Sequence, residues 1–525
     1  MDRFEDLSGE FDAAIIGGGI VGAGVARDAA LRGLRVALFE KNDFGSGTTS
    51  GSTRLIHGGL RYLEMFDFGL VRMDLRERET LLRIAPHLVK PLEFLVPFYS
   101  RSLFYRAKLR AGMLLYDALS YDKTLPNHHF LNAADTLAEE PDLLPGGLQG
   151  SAVYHDAQVR SPERLCLENI IEAREFGAVT LNYAEVTGAV SNGGRIQGVT
   201  VRDTLNGAET EVRAKVVVNA SGPWFDRVAA RVEVHPEQRV RTTKGIHIAC
   251  EPVSRRAAVL SSKIDGRLFF VIPLLGFSWI GTTDTDFSGD PSTAHATPED
   301  VEYLMQSASE FFPALRSKNI FWSNAGVRAL VKEKGRESSV SRAHHVVDAD
   351  GLISVIGGKI TGYRAIAEEV TNLVCKKLGV TKPCQTADLP LPGARDTAPD
   401  LNTADDTLYY LRSLYGDRMR DALQLAGTDA RLLQRLAPQY PDIVAQVIFA
   451  VREEQCLTLA DFMRRRSLLA FTPDQGMKAV PAIAPWMATE LGWPPAETAT
   501  QRDAYQSWVE ETQAFRKTFP LTKMN

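Results

Sequence analysis

The chain has 525 residues, of which 44 % are hydrophobic and 24 % charged, and a formal net charge of −5. This composition is that of an ordinary soluble globular protein, and the length exceeds one domain and supports a large core. The acidic balance gives no global basic field, so nucleic acid is not expected as a partner.

The five cysteines, Cys166, Cys250, Cys375, Cys384 and Cys456, are scattered without a CxxC pair. Neither a zinc site nor a disulfide framework is expected, no metal is assigned, and a reducing cytoplasmic setting follows. The stretch MDRFEDLSGE is acidic where a signal peptide needs basic residues, so it reads as mature protein. No run of 18 apolar residues is present, so no membrane-spanning helix is expected.

Residues 11–40, FDAAIIGGGIVGAGVARDAALRGLRVALFE, read as strand (12–16), glycine-rich turn, helix (20–32) and strand (35–39). Gly17, Gly19 and Gly22 match G-x-G-x-x-G, and Glu40 closes the second strand. Bare glycines let the backbone approach a pyrophosphate at a helix N-terminus, and the acid accepts from ribose hydroxyls. A lone glycine motif is weak; strand before, helix after and acid at the right distance make this one strong. The next segment, NDFGSGTTSGSTRLIHGGLRYLE, supplies small and hydroxyl residues, among them Thr49 and Ser50, and then the pair Gly58 and Gly59.

Residues 100–120, SRSLFYRAKLRAGMLLYDALS, place Leu103, Phe104, Ala107, Ala111, Leu114 and Ala118 at helical spacing, with Arg101, Arg106, Lys108 and Arg110 near the start. Such a helix lies in a lipid interface or packs on a core; periodicity alone favours the core. Residues 157–176 include a helix capped by Ser161 with Pro162 in its first turn. Strands follow on both sides of the turn SNGG, and KVVVNASGPWFD ends a further strand in Ala220 and Gly222.

RLFFVIPLLGFSWIGTTD gives two apolar strands bent at Pro273 and Gly276, within an antiparallel sheet over 231–330. GLISVIGGKITGYRAIAEE runs from a strand through Gly358, Lys359, Ile360 and Thr361 into a helix whose N–H groups point at a cofactor. Residues 381–403 hold four prolines and read as a linker; helical patterns after 404 form a separate domain.

The motifs GGGIVGAG, LIHGGLRYLE, VNASGPW, KGIHI, IGTTDTD, GVRAL and GGKITGYR occur in this order. Together they resemble the FAD-dependent, aerobic, quinone-linked glycerol-3-phosphate dehydrogenases, within the D-amino-acid-oxidase-like flavoproteins. The tail VREEQCLTLADFMRRRSLLAF resembles that family's C-terminal helical domain. The sequence departs from the family at Ala329, where proline is frequent, and at Gly362, where threonine is frequent.

The resemblance implies an α/β fold: a Rossmann-like FAD-binding domain of the glutathione-reductase type, an antiparallel β substrate domain and a C-terminal helical domain. Residues 1–380 would be the oxidoreductase region, with FAD-binding parts at about 1–65, 150–230 and 335–380 and substrate parts at about 66–149 and 231–334. Residues 404–525 would be the helical domain.

It implies FAD and oxidation of glycerol 3-phosphate to dihydroxyacetone phosphate, with a membrane quinone as acceptor. That acceptor favours peripheral attachment to the inner face of the cell membrane through 100–120; a homodimer stays open.

Removing a hydroxyl proton beside a flavin suits a histidine. His57 is the first candidate, with flavin contact or a structural role as alternatives, and His247 is the second. Arg61, Arg328, Arg342 and Arg364 are the candidates for the phosphate dianion. Lys244 and Lys359 would polarise the hydroxyl or offset reduced-flavin charge, and Thr361 and Tyr363 add hydroxyls. The competing readings are an oxidase using oxygen, a dehydrogenase of a longer polyol phosphate such as erythritol phosphate, and a non-catalytic flavin sensor or tRNA-modification partner.

Overall fold

The computed structural model describes residues 3–99, 102–233, 237–332, 344–396 and 405–517. Arg101 and Arg342 lie outside them.

Two sheets organise the chain. In the first, Leu352–Ile356, Glu209–Asn219, Phe11–Ile16, Val36–Phe39 and Val179–Leu181 run parallel in that spatial order, and His345–Ala349 joins antiparallel at one edge. Ala13, Ala14 and Ile15 are all fully buried. A strand buried on both faces shows no polar alternation, which is why this one reads as a continuous apolar run.

Helices Ile20–Leu31, Pro162–Glu175 and Tyr363–Leu378 cover the sheet. Small residues set their spacing. A Cβ on Gly24 would sit 3.0 Å from Ala367 and 3.1 Å from the Tyr363 ring. The expected cap of the second helix is present: Arg164 N–H donates to Ser161 Oγ at 3.2 Å.

The second sheet is mostly antiparallel and gathers distant pieces. Its spatial order is Thr285–Asp286, Val240–Cys250, Phe277–Gly281, Leu268–Leu274, Ala257–Ser261, Val89–Phe98, Gly150–Val159 and Leu55–Ile56, with Ile320–Val331 paired to Val240–Cys250. Gly150–Val159 falls in the stretch expected to bind FAD, yet it pairs in register with Val89–Phe98, from Val159 opposite Val89 to Gly150 opposite Phe98. The bend expected at Pro273 and Gly276 is a two-residue hairpin turn, with Leu275 and Gly276 both at positive φ, 49° and 82°. Two left-handed residues match the twist of the flanking strands.

The C-terminal residues form helices Asp406–Tyr415, Met419–Gln424, Val444–Glu453, Val480–Leu491 and Pro495–Thr512. They share one core with the second sheet. Trp322 and Phe471 meet with ring centroids 5.5 Å apart, and Trp322 Nε1–H donates to Thr472 O at 3.0 Å. The described part of the expected linker is strapped down: Leu391 is fully buried and its N–H donates to Ile84 O at 2.9 Å.

Buried ion pairs cross the same boundary. Arg465 and Arg466 both bind Asp43, with Arg466 at 2.6 and 2.9 Å. Arg164 pairs with Glu454.

Candidate active site

A cavity of about 460 Å³ runs between the ends of the first sheet and the face of the second. At the first sheet, Gly17 takes φ +106°, and a Cβ there would lie 2.7 Å from Ala220 O. A Cβ on Gly22 would lie 2.0 Å from Gly17 O, so this glycine closes the turn without lining the cavity. Gly19 is different: a Cβ there would meet only Thr49 Oγ1, at 3.6 Å, and the residue faces the cavity at the start of Ile20–Leu31. That is the opening a pyrophosphate needs at a helix N-terminus.

Glu40 accepts from the N–H groups of Gly18 at 2.8 Å and Asn42 at 2.9 Å. Burial raises its pKa, and those N–H groups oppose the rise. The carboxylate lines the cavity with lone pairs to spare for a ribose. Thr49 lines it too, and its hydroxyl accepts from Ile20 N–H at 3.1 Å. Ala220, Gly222, Gly358, Ile360 and Thr361 also line the cavity. Open turn, acid and small-residue wall together fit FAD.

The far part of the cavity collects the chemistry. His57, Gly59, Arg61, Arg328 and Lys359 all line it. His57 N–H donates to Thr361 Oγ1 at 3.1 Å, and its ring meets Phe270 edge-on, centroids 6.0 Å apart. Phe270 pairs with Gly281, and the adjoining Thr282 accepts from Arg328 Nη2 at 2.8 Å. Arg328 also bonds Asp284 at 3.1 Å and Thr283 O at 3.3 Å. Room for its guanidinium comes from Gly245, where a Cβ would stand 2.2 Å from Nη2. The Lys359 ammonium lies 4.2 Å from the Tyr62 ring centroid and pairs with Asp74.

Other expected residues lie off the wall, each for a packing reason. His247 is buried, stacks on Trp279 at 4.7 Å, and bonds Thr53 Oγ1 at 3.0 Å through Nε2. Burial, then the charges of Arg328 and Arg54, push its pKa well below the usual histidine value, so it stays neutral. Lys244 points the other way from the same strand, to Asp300 at 2.6 Å and His295 O at 3.2 Å.

Tyr363 is fully buried and its hydroxyl accepts from Asn169 Nδ2 at 3.1 Å. Arg364 forks onto Glu77 at 2.6 and 2.7 Å, so its charge is spent on a buried carboxylate rather than a phosphate. Ser50 turns its hydroxyl to Gly45 O at 2.8 Å. Gly58 makes room for packing instead of for a cofactor: a Cβ there would strike Tyr116 Oη at 2.6 Å and Leu75 at 2.7 Å. Arg342 lies outside the described residues.

Sequence reasoning missed Lys41, Arg227 and Arg231, which line the cavity beside Glu185 and Trp224. The signal was the i, i+4 spacing of the two arginines in Phe225–Val232, directly after the SGPW turn.

A family model described as FAD dependent oxidoreductase matches residues 12–373, and a model for the C-terminal domain of alpha-glycerophosphate oxidase matches 384–498. A glycerol-3-phosphate dehydrogenase of Synechocystis sp. is 39 % identical, covering 97 % of this chain and 98 % of its own. An aerobic glycerol-3-phosphate dehydrogenase of Staphylococcus aureus is 32 % identical, at 96 % and 95 % coverage. The solved glycerol-3-phosphate dehydrogenase of Bacillus halodurans, complexed with FAD, superposes with a TM-score of 0.81 at 30 % identity, over 97 % of this chain and 96 % of its own. The cavity and these matches agree, and the chain belongs to the FAD-dependent oxidoreductase family, among the glycerol-3-phosphate dehydrogenases.

Proposed function

We propose that the protein oxidises sn-glycerol 3-phosphate to dihydroxyacetone phosphate and passes the electrons to a membrane quinone. The carrying observation is the meeting of His57, Arg61, Arg328 and Lys359 on one cavity wall beside the FAD-fitting turn. FAD supplies the two-electron oxidant when bound. Arg61 and Arg328 bind the phosphate dianion and so orient the secondary carbinol. His57 takes the hydroxyl proton as the C–H bond breaks. Lys359 offsets negative charge that develops in the site. Leu268, Phe270, Val259 and Tyr154 exclude water from this end.

Helix Leu103–Leu119 supports attachment at the inner membrane surface. The face formed by Leu103, Phe104, Ala107, Ala111, Leu114 and Ala118 is exposed, and the helix buries only Met113 and Tyr116. A helix packed on the core would bury that apolar face. Exposed Phe66 and Phe68 extend the same chemistry near it, since Lys108 on the helix pairs with Glu64 at 2.8 Å. No described helix is long and apolar enough to cross a membrane, so this surface would lie in the interface.

Anaerobic mixing tests the activity. Glycerol 3-phosphate should reduce the bound flavin rapidly, with glycerol almost inert, and a soluble quinone should reoxidise it faster than oxygen does. Absence of reduction by any polyol phosphate would leave a flavin sensor as the better reading. Faster turnover with erythritol phosphate would move the substrate to a longer polyol, in line with Ala329, which lines the cavity.

A further inference from the structure

Asp74 sits in helix Phe68–Ile84 with no solvent exposure, and its Oδ2 pairs with the Lys359 ammonium. Among the described residues its Oδ1 accepts no hydrogen bond. The ammonium is wedged between this carboxylate and the Tyr62 ring, and a Cβ on Gly59 would lie 3.2 Å from it. The lysine is therefore held from two sides where the cavity carries His57 and Arg61.

We propose that Asp74 is a positioning residue: its buried carboxylate fixes where the Lys359 ammonium stands behind the cavity wall and acts on the flavin only through that lysine. Gly362 belongs to the same device. A Cβ there would lie 3.2 Å from Asp74 Oδ1 and 3.0 Å from the flexible Met73 Cε, at an ordinary φ of −88°. A hydroxyl side chain at 362 would reach Oδ1. The glycine leaves that oxygen without the partner, and among the described residues Lys359 is the cation paired with Asp74.

The other charged groups facing Asp74 are paired elsewhere. Glu77 binds Arg364, and Asp156 binds Arg78 and the Tyr116 hydroxyl. Burial pushes the Asp74 carboxyl up to about 6, with Lys359 opposing and Glu77 and Asp156 adding to the rise.

The test needs no substrate, so it stands apart from the proposed activity and rests only on the cavity being the flavin site. The midpoint potential of the bound flavin is measured by anaerobic redox titration for wild type, Asp74→Asn, Lys359→Met and the double variant. Asp74→Asn should shift the potential in the wild-type background and leave it unchanged in Lys359→Met. The same shift in both backgrounds, or none in either, overturns the proposal. FAD content and melting temperature of Asp74→Asn check that the fold holds. As a second arm, Gly362→Ser should donate a hydrogen bond to Oδ1 and favour the carboxylate. The flavin potential of Gly362→Ser should then differ from wild type, and the same substitution should have no effect on the potential in the Asp74→Asn background. No shift in Gly362→Ser, or a shift that persists in the Asp74→Asn background, counts against it.

Discussion

Arg328 offers the sharpest test of how the phosphate is held. Its side chain is only 17 % exposed and is fixed by Thr282, Thr283 and Asp284. Truncating one partner of a desolvated charge pair costs about 2–5 kcal/mol. Arg61 remains and softens the loss, while the buried Asp284 is left facing the dianion and deepens it. These opposed effects place Arg328→Ala near 3 to 4 kcal/mol, or roughly 200- to 900-fold in kcat/KM for glycerol 3-phosphate. Glycerol, which has no dianion, should change by less than about threefold, the two rates diverging because binding energy from the remote group is used at the reacting carbon. Adding Asp284→Asn should recover part of the loss by removing the repulsion. Steady-state kinetics of both alcohols decide it: an unchanged preference for the phosphorylated alcohol in Arg328→Ala refutes the assignment. Gly245→Ala, which drives a methyl into the guanidinium, should reproduce much of the defect without touching the arginine.

Gly19→Val should fold but lose FAD, because its side chain enters only the cavity; Gly22→Ala should fail to fold, because its Cβ lands on Gly17 O. Absorbance at the flavin band and circular dichroism separate the two. His57→Ala should slow flavin reduction by about 10²–10⁴-fold, whereas His247→Asn should lower the melting temperature and change reduction only a few-fold; stopped-flow rates that reverse this order would exchange the roles. Asp43 is buried, yet Arg466 and Arg465 hold its carboxyl well below the usual range. A depressed carboxylate contributes stability above its unfolded value, about 3.9, that is lost as pH falls toward the folded one. Melting temperature should therefore drop steeply below about pH 4, and Asp43→Asn should flatten that slope while lowering stability at pH 7. Replacing Leu103 and Phe104 by serine should weaken flotation with anionic vesicles and leave reduction by substrate intact; undiminished flotation would place the membrane contact elsewhere.

The nucleotide turn was legible because most of its constraints are local: Gly22 answers to Gly17 O and Gly19 to Thr49, while Gly17 answers to Ala220 at the end of the neighbouring strand. The substrate candidates were harder, since a motif does not say which way its side chains point. Lys244 and His247 share a strand and a motif, yet one meets Asp300 and the other Trp279, and neither reaches the cavity. Which face is lined follows from pairing with Ile320–Val331, a strand some eighty positions later that carries Arg328. Arg364 looked like a phosphate ligand because its partner, Glu77, lies on a helix far away in sequence. The split second sheet hid the domain boundaries for the same reason: Gly150–Val159 declares its sheet only through Val89–Phe98.

The clamp between Asp43 and Arg465 and Arg466 joins residues more than 420 positions apart. Asp43 sits in the loop between Glu40 and Thr49, both on the cofactor wall. At roughly 5–20 residues per second, synthesis separates these partners by about 20–85 s. The nucleotide unit thus leaves the ribosome long before the two arginines; Asn182 reaches Asp43 earlier, but the arginine clamp closes only after Arg465 and Arg466 have followed. A chain ended before Arg465 would keep the glycine motif while lacking the two arginines that clamp the loop beside it.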